Sequence, residues 1–264
     1  MVAEGIETNA FHYGAIIDAY ARGGRWREAL DVLGCMASRS VEVNTIVCST
    51  AVSACKRGAR WQHALCILGD MVLRAVEVNS FTHSDVIACC ERGSQWSRAL
   101  DAWSIAKDSI KSRLDIVARS SVISALSRGA QWRAALDQLK DAESDRLTPD
   151  AVMYNATLSA CEKGSAWADA FRLLSTMRRG SLRMDEVTFG VAINACDRGS
   201  RWAEAVALWA DMCCRRLEFN PVIYMTLIRC AARGHQTQRA KRLFRSGVAG
   251  GLLQHDLSSW CDAA

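Results

Sequence analysis

Residues 151–185 read AVMYNATLSACEKGSAWADAFRLLSTMRRGSLRMD. The first half places apolar or small residues at Met153, Tyr154, Thr157, Leu158 and Cys161. That i, i+1, i+4, i+5, i+8 spacing is the stripe of an amphipathic helix. The same stripe recurs at Val47, Cys48, Ala51, Val52, Cys55 and at Thr188, Phe189, Ala192, Ile193, Cys196. A basic residue and then glycine (Lys163, Gly164) close the helix, which predicts a left-handed glycine cap with a cation at the negative dipole end. A second stripe follows, as in Trp61, Ala64, Leu65, Leu68, Met71 and Trp26, Ala29, Leu30, Leu33, Met36. A short connector ending in Asn or Asp completes the unit, so each unit is a predicted helical hairpin.

The unit repeats. Gly23, Gly58, Gly93, Gly129, Gly164, Gly199 and Gly234 follow one another at steps of 35, 35, 36, 35, 35 and 35 residues. Tryptophan stands three residues after the first six: Trp26, Trp61, Trp96, Trp132, Trp167 and Trp202. A fixed period of this size marks an array in which each unit buries its apolar face against its neighbours. The expected fold is all-α, a right-handed α-solenoid of about seven helix-turn-helix repeats. Their bounds are 10–44, 45–79, 80–115, 116–150, 151–185, 186–220 and 221–255, with the extra residue of the third around Lys111–Leu114. The tryptophans share a face with the repeat alanine and leucine, which predicts packing rather than base stacking.

Composition excludes several classes. The 264 residues are half apolar and carry a net charge of +5, too mild to imply nucleic acid by itself. Four of the twelve cysteines (Cys55, Cys90, Cys161, Cys196) occupy one register position, where Tyr20, Leu126 and Ala231 stand in other copies. Cysteine there replaces a core residue, and reduced buried thiols are expected. No C-x-x-C occurs, the five histidines recur at no ligand spacing, and no apolar run reaches the ~18 residues of a membrane helix. No metal, cofactor, catalytic constellation, small-molecule substrate or membrane is expected.

The stretch Val152–Leu158, followed by Ala170-Phe171-Arg172-Leu173-Leu174 and Met177 with Pro149-Asp150 upstream, resembles the pentatricopeptide repeat. The resemblance covers residues 1–255 and departs from the family in the repeated tryptophan and in the connector proline that most copies lack. It implies binding of single-stranded RNA at one base per repeat. It also implies roles for four register positions. The fifth and last residues would read base edges: Gly14 with Asn44, Ser49 with Asn79, Ser84 with Asp115, Ser120 with Asp150, Asn155 with Asp185, and Gly190 with Asn220. The second residues would sandwich bases: Phe11, Ile46, Phe81, Val117, Val152, Val187 and Val222. The thirteenth would meet phosphates: Arg22, Arg57, Arg92, Arg128, Lys163, Arg198 and Arg233.

Each row has a structural explanation beside the functional one. Bulky second residues suit core packing equally well. Asn and Asp at the last position suit helix N-caps. Small fifth residues suit close helix packing, although Gly, Ser and Asn are poor choices inside a helix otherwise. The cations suit the helix dipole, but at ~0.3–1 kcal/mol that preference is weak for seven positions without exception. If all seven met phosphates, the single-strand salt slope would be about −5. The family's code carried over gives adenine for Ser49/Asn79, guanine for Ser84/Asp115 and Ser120/Asp150, and uracil for Asn155/Asp185, while Gly14, Gly190 and Met225 leave their repeats unread.

Residues 1–9 align with Met71–Asn79, so the chain is expected to begin in the middle of a second helix, as a fragment or from a misassigned start. Residues 256–264 would be a tail or open an eighth repeat. The expected role is sequence-selective RNA binding in organellar processing, stability, editing or translation, in mitochondrion or chloroplast, alongside other RNA-processing proteins. A protein-interaction scaffold is the alternative, and an enzyme is not expected, since the H-x-E and C-x-x-C of a zinc deaminase are missing.

Overall fold

The computed structural model describes residues 9–39, 41–109, 116–145, 147–180, 182–215, 217 and 220–234. The expected leading half-repeat, the insertion near Lys111–Leu114, Asp115, the second helix of the seventh repeat and the tail lie outside the described residues. Among the described residues every regular element is an α-helix.

The chain divides into two compact units, Met1–Gly129 and Ala130–Ala264. The first holds α1 (Ala10–Arg22), α2 (Trp26–Ser38), α3 (Thr45–Arg57), α4 (Trp61–Leu73), α5 (Ser80–Arg92), α6 (Trp96–Ser109) and α7 (Ile116–Arg128). The second holds α8 (Trp132–Ser144), α9 (Ala151–Lys163), α10 (Trp167–Arg179), α11 (Glu186–Arg198), α12 (Trp202–Cys214) and α13 (Pro221–Arg233). Odd-numbered helices are the first helices of their repeats. Within the first unit α1, α3, α5 and α7 pack in succession, and α2, α4 and α6 each pack on their own first helix and on the next. Within the second unit α9, α11 and α13 form the same row, with α10 and α12 behind it. This is the all-α solenoid class expected from the period.

The stripes are the core. Met153, Tyr154, Thr157, Leu158 and Cys161 are all buried, as are their counterparts in α3 and α11. Burial pushes the thiols of Cys55 and Cys90 up to about 11 and those of Cys161 and Cys196 up to about 12, so they stay protonated. All cysteines among the described residues are free, but Cys35, Cys66, Cys213 and Cys214 are exposed, outside the buried role expected of the set.

The glycine row requires a correction. Gly58, Gly93, Gly164 and Gly199 have φ between −83° and −77°, so none is a left-handed cap. The left-handed residue is the next one: Ala59, Ser94, Ala130, Ser165 and Ser200, with φ of 53–56°, and Gly24 at 71°. After α3, Arg60 N–H donates to Cys55 O (2.9 Å) and Ala59 N–H to Lys56 O (3.3 Å), the paired bonds of a Schellman motif. The glycines answer to a different constraint. A Cβ on Gly58, Gly93, Gly129, Gly164, Gly199 or Gly234 would lie under 3.0 Å from the indole Cδ1 of Trp26, Trp61, Trp96, Trp132, Trp167 or Trp202. Each tryptophan opens the second helix of one repeat and packs its edge on the bare backbone that ends the first helix of the next. Gly23, before which no such tryptophan is described, has only backbone and Arg25 within 4 Å of that position. The tryptophans are half-buried, so the packing role holds, as an interlock between repeats rather than as deep core.

Candidate nucleic-acid interface

The first helices present one face to solvent. Residues two, five and thirteen of a repeat fall within an arc of about 80° on a helix of 3.6 residues per turn. The second residues decide what that face is. Phe11, Ile46, Phe81, Val117, Val152, Val187 and Val222 are 57–80% exposed, and among the described residues they make up seven of the ten large exposed apolar side chains. Core packing therefore does not account for them. A bulky apolar residue held in water at one register position has to be explained by something it meets.

The fifth residues are half-buried beside this row, and Gly14, Asn155 and Gly190 abut the third residue of the following repeat. A Cβ on Gly14 would sit 3.7 Å from Val47 Cγ2, and one on Gly190 would sit 3.4 Å from Ile223 Cδ1, so packing permits small side chains without requiring glycine. Ser49 Oγ donates to Ile46 O (3.0 Å), Ser84 Oγ to Ser80 O (2.9 Å) and Ser120 Oγ to Ile116 O (2.8 Å). With its proton committed to the helix, each hydroxyl offers lone pairs outward.

The last residues do cap helices. Asn44, Asn79, Asp150, Asp185 and Asn220 accept through Oδ1 from Val47, Thr82, Met153, Thr188 and Val222 N–H at 2.8–3.0 Å. All five are exposed, so the cap uses one atom and leaves the other at the surface. The cap also sets polarity. An asparagine whose oxygen faces the backbone turns its NH₂ outward, whereas an aspartate turns out a second carboxylate oxygen. In the second unit Thr188 Oγ1 lies 2.8 Å from both Asn155 Oδ1 and Asp185 Oδ1, tying the two code positions of one repeat together. Burial tends to raise the Asp185 carboxyl, but the Thr188 backbone and hydroxyl bonds outweigh it and hold the group below its usual range.

All seven cations of the thirteenth row are exposed, but their partners differ. Arg22 pairs with Asp18 within α1 at 2.8 Å. Arg57 donates to the carbonyl of Ala21, the twelfth residue of the preceding repeat, at 3.0 Å. Arg128, Arg198 and Arg233 reach the carboxylates at that same place: Glu91 (3.6 Å), Glu162 (3.1 Å) and Asp197 (3.2 Å). Arg92 and Lys163 follow Lys56 and Ser127 at that register position, and neither makes a hydrogen bond or ion pair with a described residue. Helix-dipole preference was too narrow an alternative. The row also ties repeats together, and the sign that could have revealed this is an acidic residue one place before the cation of the previous copy.

Four of the expected site residues share one cleft. Arg22, Ser49, Arg57 and Phe81 line a groove of about 480 Å³ across α1, α3 and the start of α5, together with Asp18 and Ser53. Lys56 Nζ stands 5.9 Å from the Phe81 ring centroid and pairs with buried Asp85, which Ser53 also reaches. Asp115 lies outside the described residues. Among the described residues no three His, Cys, Asp or Glu side chains gather to hold a metal ion, and no helix is long and apolar enough to cross a membrane.

This arrangement defines a helical-repeat module with a polar and cationic face rimmed by exposed apolar side chains. Two family models match the sequence, one described as PPR repeat family over residues 149–198 and one as pentatricopeptide repeat-containing protein over residues 1–106. The chain belongs to the pentatricopeptide repeat family. Its fold is similar to that of the maize pentatricopeptide repeat protein PPR10 in complex with an 18-nt psaJ RNA element (TM-score 0.78, 19% identity, 96% of this chain and 37% of that one). It is also similar to a second crystal structure of PPR10 from maize (TM-score 0.63, 19% identity, 97% and 41%). A third similar structure is nuclear proteinaceous RNase P 2 of A. thaliana (TM-score 0.63, 11% identity, 70% and 41%). The chain thus spans 37–41% of the length of these proteins, and the likeness is one of fold. No curated protein matches the sequence.

Proposed function

We propose that this chain binds single-stranded RNA along the exposed face of its first helices, reading bases with the fifth and last residues of each repeat. The observation that carries the reading is the coincidence, on one face of each first helix, of an exposed apolar second residue with an exposed cation and outward-facing polar groups. Bases stack on apolar side chains, phosphates meet cations, and base edges meet hydroxyls, amides and carboxylates. The similar fold of PPR10, which is described in complex with RNA, supports it.

The hydrogen-bond polarity agrees with the code that the family resemblance carries. Ser49 offers an acceptor and Asn79 a donor, which complements the amino group and ring nitrogen of adenine. Replacing the last residue by aspartate gives two acceptors, which suits the donor-rich edge of guanine, the base assigned to Ser84 and Ser120 with their register partners Asp115 and Asp150. Asn155 with Asp185 is assigned uracil. The role we propose for such binding is shielding or unfolding of transcripts in an organelle, mitochondrion or chloroplast, with other processing proteins as partners.

Because five of the seven cations have internal partners, the expected salt slope is smaller than the sequence suggests. Arg57, Arg92 and Lys163 face no carboxylate, which gives about −2 and a loss of roughly twentyfold in affinity from 50 to 200 mM salt. Selection from random single-stranded RNA, followed by titration at those two salt concentrations, tests this. Arg92→Glu with Lys163→Glu should abolish most binding at low salt with the melting temperature unchanged. Unaltered affinity would remove RNA from the account and return the face to a protein partner.

A further inference from the structure

We propose that the twelfth-position carboxylates Glu91 and Glu162 compete with RNA for the thirteenth-position arginines of the following repeats, and so set how much of the basic row a ribose-phosphate strand can engage. The proposal rests on the RNA-binding reading and concerns residues to which that reading gives no role.

The geometry recurs across repeats. In both units the cation of one repeat reaches back to residue twelve of the one before: Arg57 to Ala21, Arg128 to Glu91, Arg198 to Glu162 and Arg233 to Asp197. What it finds there is decided by one side chain. Alanine offers only its backbone carbonyl, and lysine adds to that a charge of the same sign as the arginine's. Glutamate offers a charge equal and opposite to the arginine's own.

Competition follows from where the two partners sit. The arginine side chains are half exposed, at 47% for both Arg128 and Arg198, so part of each guanidinium is open to solvent. The carboxylates are much less exposed, at 21% for Glu91 and 13% for Glu162. Burial pushes the Glu91 carboxyl up, and the charge of Arg128 opposes that shift. A phosphate that drew the arginine away would leave a poorly solvated carboxylate without its counter-charge, a costly state. If both anions stayed, they would repel across one guanidinium. Either way a repeat preceded by acid contributes less to phosphate binding than one preceded by Ala21 or Lys56.

Asp197 differs from the other two. It is almost fully buried and accepts from Arg229 (2.8 Å) as well as Arg233, so it is a structural anchor and a poor test site. Glutamine at 91 or 162 keeps the volume and a carbonyl acceptor for the arginine while removing the charge.

The test measures Glu91→Gln, Glu162→Gln and the double variant by thermal unfolding and by titration with a pool of short, random single-stranded RNAs. Near 50 mM salt the double variant should bind about threefold to tenfold tighter than the wild type, with a salt slope steeper by about 1.4. Each single variant should show about half of that change in slope, so loss of fold in one leaves the other informative. Equal affinity and slope in folded variants, or weaker binding, would overturn the proposal while leaving RNA binding intact. If neither wild type nor variants bind the pool, the RNA reading itself falls and this inference with it.

Discussion

Two regions of each first helix answer to different demands. At its C-terminal end a glycine receives the tryptophan of the preceding repeat, and the pairing is the same from Trp26–Gly58 to Trp202–Gly234. On its open face the chemistry varies from copy to copy: Ser, Asn, Gly or Met at the fifth place, Phe, Ile or Val at the second, and a cation with or without a counter-charge at the thirteenth. The uniform region bears on stability, and the varied region is where the proposed RNA contacts lie. The difference teaches that identical register does not mean identical role. Arg92 and Arg198 occupy the same place, yet one is free among the described residues and the other is held by Glu162.

The sharpest way to break this division is to overfill the interlock. Gly164→Ala should destabilise the second unit by about 2–3 kcal/mol, because the new methyl must displace an indole ring. Trp132→Ala costs on its own, but combined with Gly164→Ala it should show strong favourable coupling, since the clash disappears with the ring. Urea denaturation of the four proteins measures that cycle, and additive effects would mean the two residues do not touch. On the open face the pattern should invert. Phe81→Ala should leave the melting temperature unchanged but weaken RNA binding by about 1–2 kcal/mol through lost stacking.

A smaller effect separates stability from recognition by pH. His83 is buried in α5 with neither ring nitrogen hydrogen-bonded, and burial lowers its pKa from the ordinary 6.5. The unfolded chain then binds more protons than the folded one between 6.5 and the lowered value. Stability of the first unit should therefore fall as pH drops through that window, by about 1.4 kcal/mol per unit of pKa difference. His83→Cys, which copies Cys48 at the same register place, should flatten that dependence in thermal melts taken from pH 7 to pH 5. The smallest expected change is a gain. Ser165→Gly relieves a left-handed serine and should stabilise by about 0.5–1 kcal/mol, the opposite sign to the change at its neighbour Gly164.

Much of the fold was legible because the period is long, regular and repeated. The buried stripes at Val47–Cys55, Met153–Cys161 and Thr188–Cys196 appear in the sequence as they stand in the core. The glycines were legible as markers but not as causes. Local turn chemistry suggested a left-handed cap, whereas the reason lies 32 residues away in the case of Trp61 and Gly93. The apolar character of the second residues suggested core, although on a helical wheel they stand roughly opposite the stripe of Met153, Tyr154, Thr157, Leu158 and Cys161. Their exposure decides the matter. The partners of the thirteenth row were out of reach for the same reason as the interlock, because they lie one repeat back.

The interlock also makes neighbouring units interchangeable. Each of the first six copies offers a ring on its trailing edge and a bare backbone on its leading edge, so a segment of one period among them can be excised or duplicated and the new neighbours still fit. Under the proposed reading, lengthening the array in this way adds one more nucleotide to the bound strand without inventing a new joint.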